Sequence, residues 1–133
     1  MKGAKALLYQ VRDEQREINI IKAQIEQAEL SLLPSAIRYD TDRVQSTPED
    51  PMLLMAIKIE RYETQLRKRQ AKLYDKRQKA ERIISRLKDS KQRQILTLYF
   101  LDPRRLTMQQ VADTVSYSVQ HTYRIYKAAM RSL

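Results

Sequence analysis

Ala4, Val11, Ile18, Ile25 and Leu32 recur at intervals of seven residues, and Leu7, Glu14, Ile21 and Ala28 follow three places behind the first four of them. Only a helix of about 3.5 residues per turn brings such positions into one line. Residues 4–32 therefore form a long helix with one seam, in which Glu14 is the single polar break, and Pro34 and Ser35 close it. A seam sustained over four heptads needs a second helix against it. At roughly 1.5–3 kcal/mol for each large side chain, Ile18, Ile21 and Ile25 are costly to leave in water. They predict a homodimer through the N-terminal helices, with a hairpin inside one chain as the competing solution.

A second seam follows. Met52, Met55, Ile59, Tyr62, Leu66, Leu73, Ala80, Ile83 and Leu87 keep the same phase, although Arg69 and Lys76 also fall on it. The helix runs from about residue 51 to about Lys88. Two starts fit: Thr47 followed by Pro48 and two acids, or Asp50 followed by Pro51. Between the two helices, residues 34–50 (PSAIRYDTDRVQSTPED) read as a linker, and its carboxylates as caps and solvation. The only glycine is Gly3. Strands need turn residues every few positions, so the expected fold is all-α, with two long amphipathic helices and a three-helix module after them.

The heptads stop at Asp89. Asp89-Ser90-Lys91-Gln92 reads as a capping box, and Ile95, Leu98, Tyr99 and Leu101 give a short helix ending before Asp102-Pro103. Thr107-Met108-Gln109-Gln110 is a second capping box, and Met108, Val111, Ala112 and Val115 form the buried face behind it. A turn, Ser116-Tyr117-Ser118, leads into a last helix capped by Ser118, which buries Thr122, Ile125, Tyr126, Ala129 and Leu133. The domains read as 1–33, 34–50, 51–88 and 89–133, the last a helix-turn-helix. Ala112 is small enough for the final helix to cross closely, and Ser116 stands where the turn usually has glycine.

At 100° per residue, Gln120, Arg124, Lys127 and Arg131 lie opposite the buried face of the last helix, flanked by His121 and Tyr123. An amide and three cations in one stripe suit a polyanion. Gln120 and Arg124, in the first two turns, can make paired hydrogen bonds to base edges, and Lys127 and Arg131 suit phosphates. Ser118 and the amides beside it can hold a phosphate at the helix N-terminus. Charge agrees with this placement. Residues 1–50 carry 7 Lys/Arg and 9 Asp/Glu, a net of −2, whereas residues 51–133 carry 19 and 7, a net of +12. From Arg61 to Arg93 there are 13 basic and 4 acidic residues, a density that a solvated or polyanion-facing surface tolerates.

Other chemistry finds little footing. His121 is the only histidine and there is no cysteine, so neither a metal site nor a histidine-based nucleophile is expected, and no cofactor. No glycine-rich loop can cradle a nucleotide. The longest apolar run, Met52 to Ile57, is far short of a membrane span, and the start of the chain does not read as a signal peptide. The expectation is a soluble, cytoplasmic, non-enzymatic protein.

Leu87, Ile95-Leu96, Leu98-Tyr99-Phe100-Leu101, Leu106-Thr107, Val111-Ala112-Asp113, Val115, Tyr117-Ser118, Tyr123-Arg124-Ile125, Ala128-Ala129 and Leu133 together resemble region 4 of bacterial sigma factors. With the stretch Tyr39-Asp40-Thr41-Asp42-Arg43-Val44-Gln45-Ser46, the chain is similar to phage late-gene transcriptional regulators of the RinA and ArpU type, over residues 30–133. The resemblance implies a phage- or prophage-encoded activator of packaging and structural genes in a bacterial host cell. Its partners would be double-stranded DNA and host RNA polymerase. Two other classes share these features: a phage small terminase subunit recognising packaging DNA, and a helical adaptor that binds RNA polymerase without reading sequence.

Overall fold

The computed structural model describes residues 2–32 and 50–133, and 84% of them are helical, with no strand among them. The elements are α1 (Lys2–Leu30), α2 (Pro51–Ser85), α3 (Ser90–Leu96, continuing into a π turn over Thr97–Leu101), α4 (Met108–Val115) and α5 (Val119–Arg131). Most of the expected linker, including the Tyr39–Ser46 stretch and the Thr47-Pro48 start, lies outside the described residues. Asp50 caps α2: its carboxylate accepts the Met52 amide at 3.0 Å and its carbonyl the Leu54 amide at 3.0 Å.

By contacts the chain divides into two units, Met1–Arg16 with Ala71–Leu133 and Glu17–Gln70, so each long helix contributes to both. In the second unit the later half of α1 buries Ile18, Ile21 and Ala28, which are 1%, 6% and 7% exposed in the single chain. Ile25 is half-buried, as are Met55, Ile59, Tyr62 and Leu66 of α2. Met55, Lys58 and Tyr62 share a shallow groove with Ile20, Ala23, Gln24 and Gln27, which sets the two helices side by side. The seam that argued for a partner chain is thus covered within one chain. Met52, in the first turn of α2, departs from its expected burial and stays exposed.

The larger unit joins the start of α1 and the end of α2 to α3, α4 and α5. Here α1 buries Leu8 and Gln15 as well as Val11, a wider face than the seam alone. The reason is a second set of neighbours. The Tyr9 ring meets Phe100 edge-on at 5.1 Å, and its hydroxyl shares a hydrogen bond with that of Tyr126. Arg12 lies over the Tyr99 ring at 4.0 Å and donates to the Tyr99 carbonyl at 2.6 Å, while Arg105 donates back to the Arg12 carbonyl at 3.2 Å. Glu14 pairs with Lys76 of α2 at 3.5 Å.

Expectation and structure part at α3. Ile95, Leu96, Phe100 and Leu101 are buried, and Leu98 and Tyr99 are only half-buried. The buried pairs are five residues apart, the hydrogen-bond span of a π turn, which is one residue longer than that of an α-helix and so changes which side chains face inward. A second difference is the end of α2, which closes at Ser85 instead of Lys88. Arg86 and Leu87 donate to Ile83 and Ile84 carbonyls in tighter i−3 bonds, and Arg93 satisfies the Leu87 and Lys88 carbonyls at 2.6 and 2.9 Å.

A candidate nucleic-acid interface

Thr107 starts α4 with a reciprocal box. Its hydroxyl accepts the Gln110 amide at 3.2 Å, and the Gln110 side chain accepts the Thr107 amide at 2.8 Å. Ahead of it Asp102 closes the preceding turn by accepting both the Arg104 amide, at 2.9 Å, and the Arg104 guanidinium, at 3.0 and 2.8 Å. That guanidinium holds the Asp102 carboxyl below the usual carboxylate range. At Asp89 the cap is made with the amide of Lys91, at 2.8 Å, one position earlier than a capping box would use.

Helix α4 buries Val111 and Ala112 completely, while Met108 and Val115 are half-buried. Ser116 then takes the left-handed conformation, φ 62° and ψ 39°, and its amide turns back towards the carbonyls of Ala112 and Asp113. The Tyr117 amide also reaches Ala112, at 3.0 Å. This is the geometry that ends a helix sharply and ordinarily selects glycine. Ser118 is extended, and its hydroxyl accepts the His121 amide at 3.1 Å, so α5 starts capped. Thr122, fully buried, donates its hydroxyl to the Ser118 carbonyl at 2.9 Å and ties the turn to the core.

Along α5, Thr122, Tyr126, Ala129 and Met130 face the core. Ile125 and Leu133, expected there too, are half-buried, and Met130 takes the deeper place. Every residue assigned to the interface is exposed: Ser118, Gln120, His121, Tyr123, Arg124, Lys127 and Arg131. Gln120, Arg124, Lys127 and Arg131 span one narrow arc about 16 Å long at 1.5 Å per residue. None of the ion pairs found among the described residues involves Arg124, Lys127 or Arg131. The charge of the stripe is therefore available to an anion. Tyr123 is more than a flank: it stacks on Tyr126 at 5.8 Å and carries the Lys127 ammonium 4.8 Å from its ring centre.

Two features escaped the sequence. Tyr117 sits edge-on to His121 at 4.7 Å, with the Lys91 ammonium 5.4 Å from its ring, so the turn brings the start of α3 to the start of α5. An aromatic inside a turn otherwise made of serines was the available signal. The role of Tyr9 and Arg12 left no signal, because their partners lie 117 and 87 residues away. The basic run also divides. Arg77 donates to the Leu101 carbonyl, Arg93 to the end of α2, and Lys76 to Glu14, so part of that density serves the fold. Among the described residues no group of three His, Cys, Asp or Glu is placed to hold a metal, and no helix is long and apolar enough to cross a membrane.

Residues 50–133, which take in all of α2 to α5, match a family described as "Protein of unknown function (DUF1492)". No curated protein and no solved structure matches the chain.

Proposed function

We propose that this chain, which belongs to the DUF1492 family, is a sequence-specific DNA-binding transcriptional regulator. The observation that carries the reading is α5 itself. It is a capped helix set by a left-handed turn against α4, presenting Gln120, Arg124, Lys127 and Arg131 to solvent without carboxylate partners. A helix held this way fits the major groove of a duplex and meets base edges with its first turns. The resemblance to phage late-gene regulators makes the target a promoter of packaging or structural genes, with host RNA polymerase as the second partner. Because the α1 seam is covered within the chain, the reading needs no dimer, and a single half-site is the expected footprint.

Footprinting on the DNA flanking the gene, at stated salt, tests it. Protection of one short segment, lost on scrambling that segment, is the expected result. Equal affinity for random and flanking DNA would replace the reader with an adaptor that uses its basic face alone, and ring-shaped oligomers on the DNA would favour a packaging role.

A further inference from the structure

Within the larger unit, α2 has two unlike flanks. Leu73, Ala80 and Ile84 are buried and define its inner line. On one side of that line Arg77, Glu81 and Ser85 border an open groove shared with α3 and α4, and Arg77 is engaged by the Leu101 carbonyl. On the other side Lys76 turns to Glu14 of α1. Further out on that second side lie Lys72, Lys79 and, just past the end of the helix, Arg86. They recur every seven residues, each is exposed, and none takes part in the ion pairs among the described residues. Arg82 is exposed beside them, its guanidinium on the Gln78 carbonyl at 3.4 Å, and Asp75 is the one carboxylate on this face.

The spacing gives the row a length of about 21 Å at 1.5 Å per residue. A helix with this many cations ordinarily intersperses acids three or four places away, which stabilises it by local pairing. Here Asp75, three places after Lys72 and four before Lys79, is the one acid of the helix so placed, and no ion pair among the described residues joins it to either, while Glu81 lies on the groove side. We infer that Lys72, Lys79 and Arg86 form a second, sequence-independent contact with the phosphate backbone of double-stranded DNA. This rests on the reading of α5 as a DNA reader. The charge is complementary to a polyanion, and flexible cationic side chains about 10 Å apart along the helix and its end suit phosphates, whose contacts fix position and carry no sequence information.

The test is the full chain carrying Lys72→Gln, Lys79→Gln and Arg86→Gln together, titrated with the footprinted duplex and with a scrambled one at several salt concentrations. A second variant, Lys5→Gln with Lys22→Gln, removes exposed charge elsewhere, and circular dichroism checks that both remain folded. Losing three phosphate contacts should lower the slope of log affinity against log salt by about 2.7 on both duplexes. Between about 50 and about 200 mM salt the wild type should therefore lose about 40-fold more affinity than the triple variant. The ratio of footprinted to scrambled affinity should be unchanged. A triple variant with the wild-type slope overturns the inference and leaves the reader intact, as long as the wild type still prefers its own site. An equal drop in the Lys5/Lys22 variant also overturns it, since net charge alone would then be the cause. A wild type that binds neither duplex removes the inference and the reading of α5 together.

Discussion

Ser116 occupies a conformation that costs a non-glycine residue roughly 1–2 kcal/mol, and it does so at the one place where α5 must be turned across α4. Ser116→Gly removes that strain, and the greater freedom of glycine in the unfolded chain offsets part of the gain. A net stabilisation of about 0.5–1 kcal/mol is expected, read as a rise of a few degrees in Tm. No gain, or a loss, would mean that the turn is held differently. On α5, position along the stripe should separate two roles. Gln120→Ala or Arg124→Ala should cost about 1–3 kcal/mol on the cognate duplex and much less on random DNA. Lys127→Ala should weaken both alike and lower the salt slope by about one. If Arg124→Ala binds its site as the wild type does, another surface reads the sequence.

At the scale of elements, α1 and α5 meet through the hydroxyls of Tyr9 and Tyr126. Burial, with the Tyr9 hydroxyl second, holds the Tyr126 hydroxyl above the ordinary tyrosine range. A raised folded value means that the folded state keeps its proton where the unfolded chain, titrating near pH 10, would release it. The stability from this contact is therefore complete below about pH 10 and is lost as pH climbs from there through the folded value. Alkaline unfolding curves should show a steep limb in the wild type and a flatter one in Tyr126→Phe, which should also be less stable at neutral pH. Identical limbs in the two proteins would remove Tyr126 as the cause. What the sequence could reveal of these elements follows from range. Both long helices, the Thr107 box, the Ser118 cap and the outward stripe were legible, because each is written in residues seven or fewer places apart. The π turn was not. Inward burial of Phe100 in place of Tyr99 depends on a helical repeat that apolar spacing alone does not distinguish from a noisy α pattern. The anchoring of Tyr9 and Arg12 was out of reach for a different reason, since it joins parts of the chain 117 and 87 residues apart.

For the whole molecule, the heptads of α1 admit both a dimer and a hairpin, and the burial of Ile18, Ile21 and Ala28 within one chain is what a hairpin requires. Ile18 is 1% exposed, so Ile18→Asp places a carboxylate in a covered seam at a cost of about 3–5 kcal/mol. The variant should lose thermal stability or helicity while the wild type has the mass of a monomer by light scattering. A wild-type dimer that becomes a well-folded monomer on this substitution would show instead that the seam joins two chains.

The pairing of Tyr9 with Tyr126 also bears on how the chain reaches its native state. Bringing together residues 117 positions apart costs about 2 kcal/mol more in chain entropy than closing a ten-residue loop. Helical proteins fold fast when their contacts are local, and this contact is not. During synthesis Tyr9 of α1 emerges long before its partner Tyr126 of α5. The contact between Tyr9 and Tyr126 can therefore close only after α5 has been made, and a nascent chain short of α5 lacks that anchor for α1.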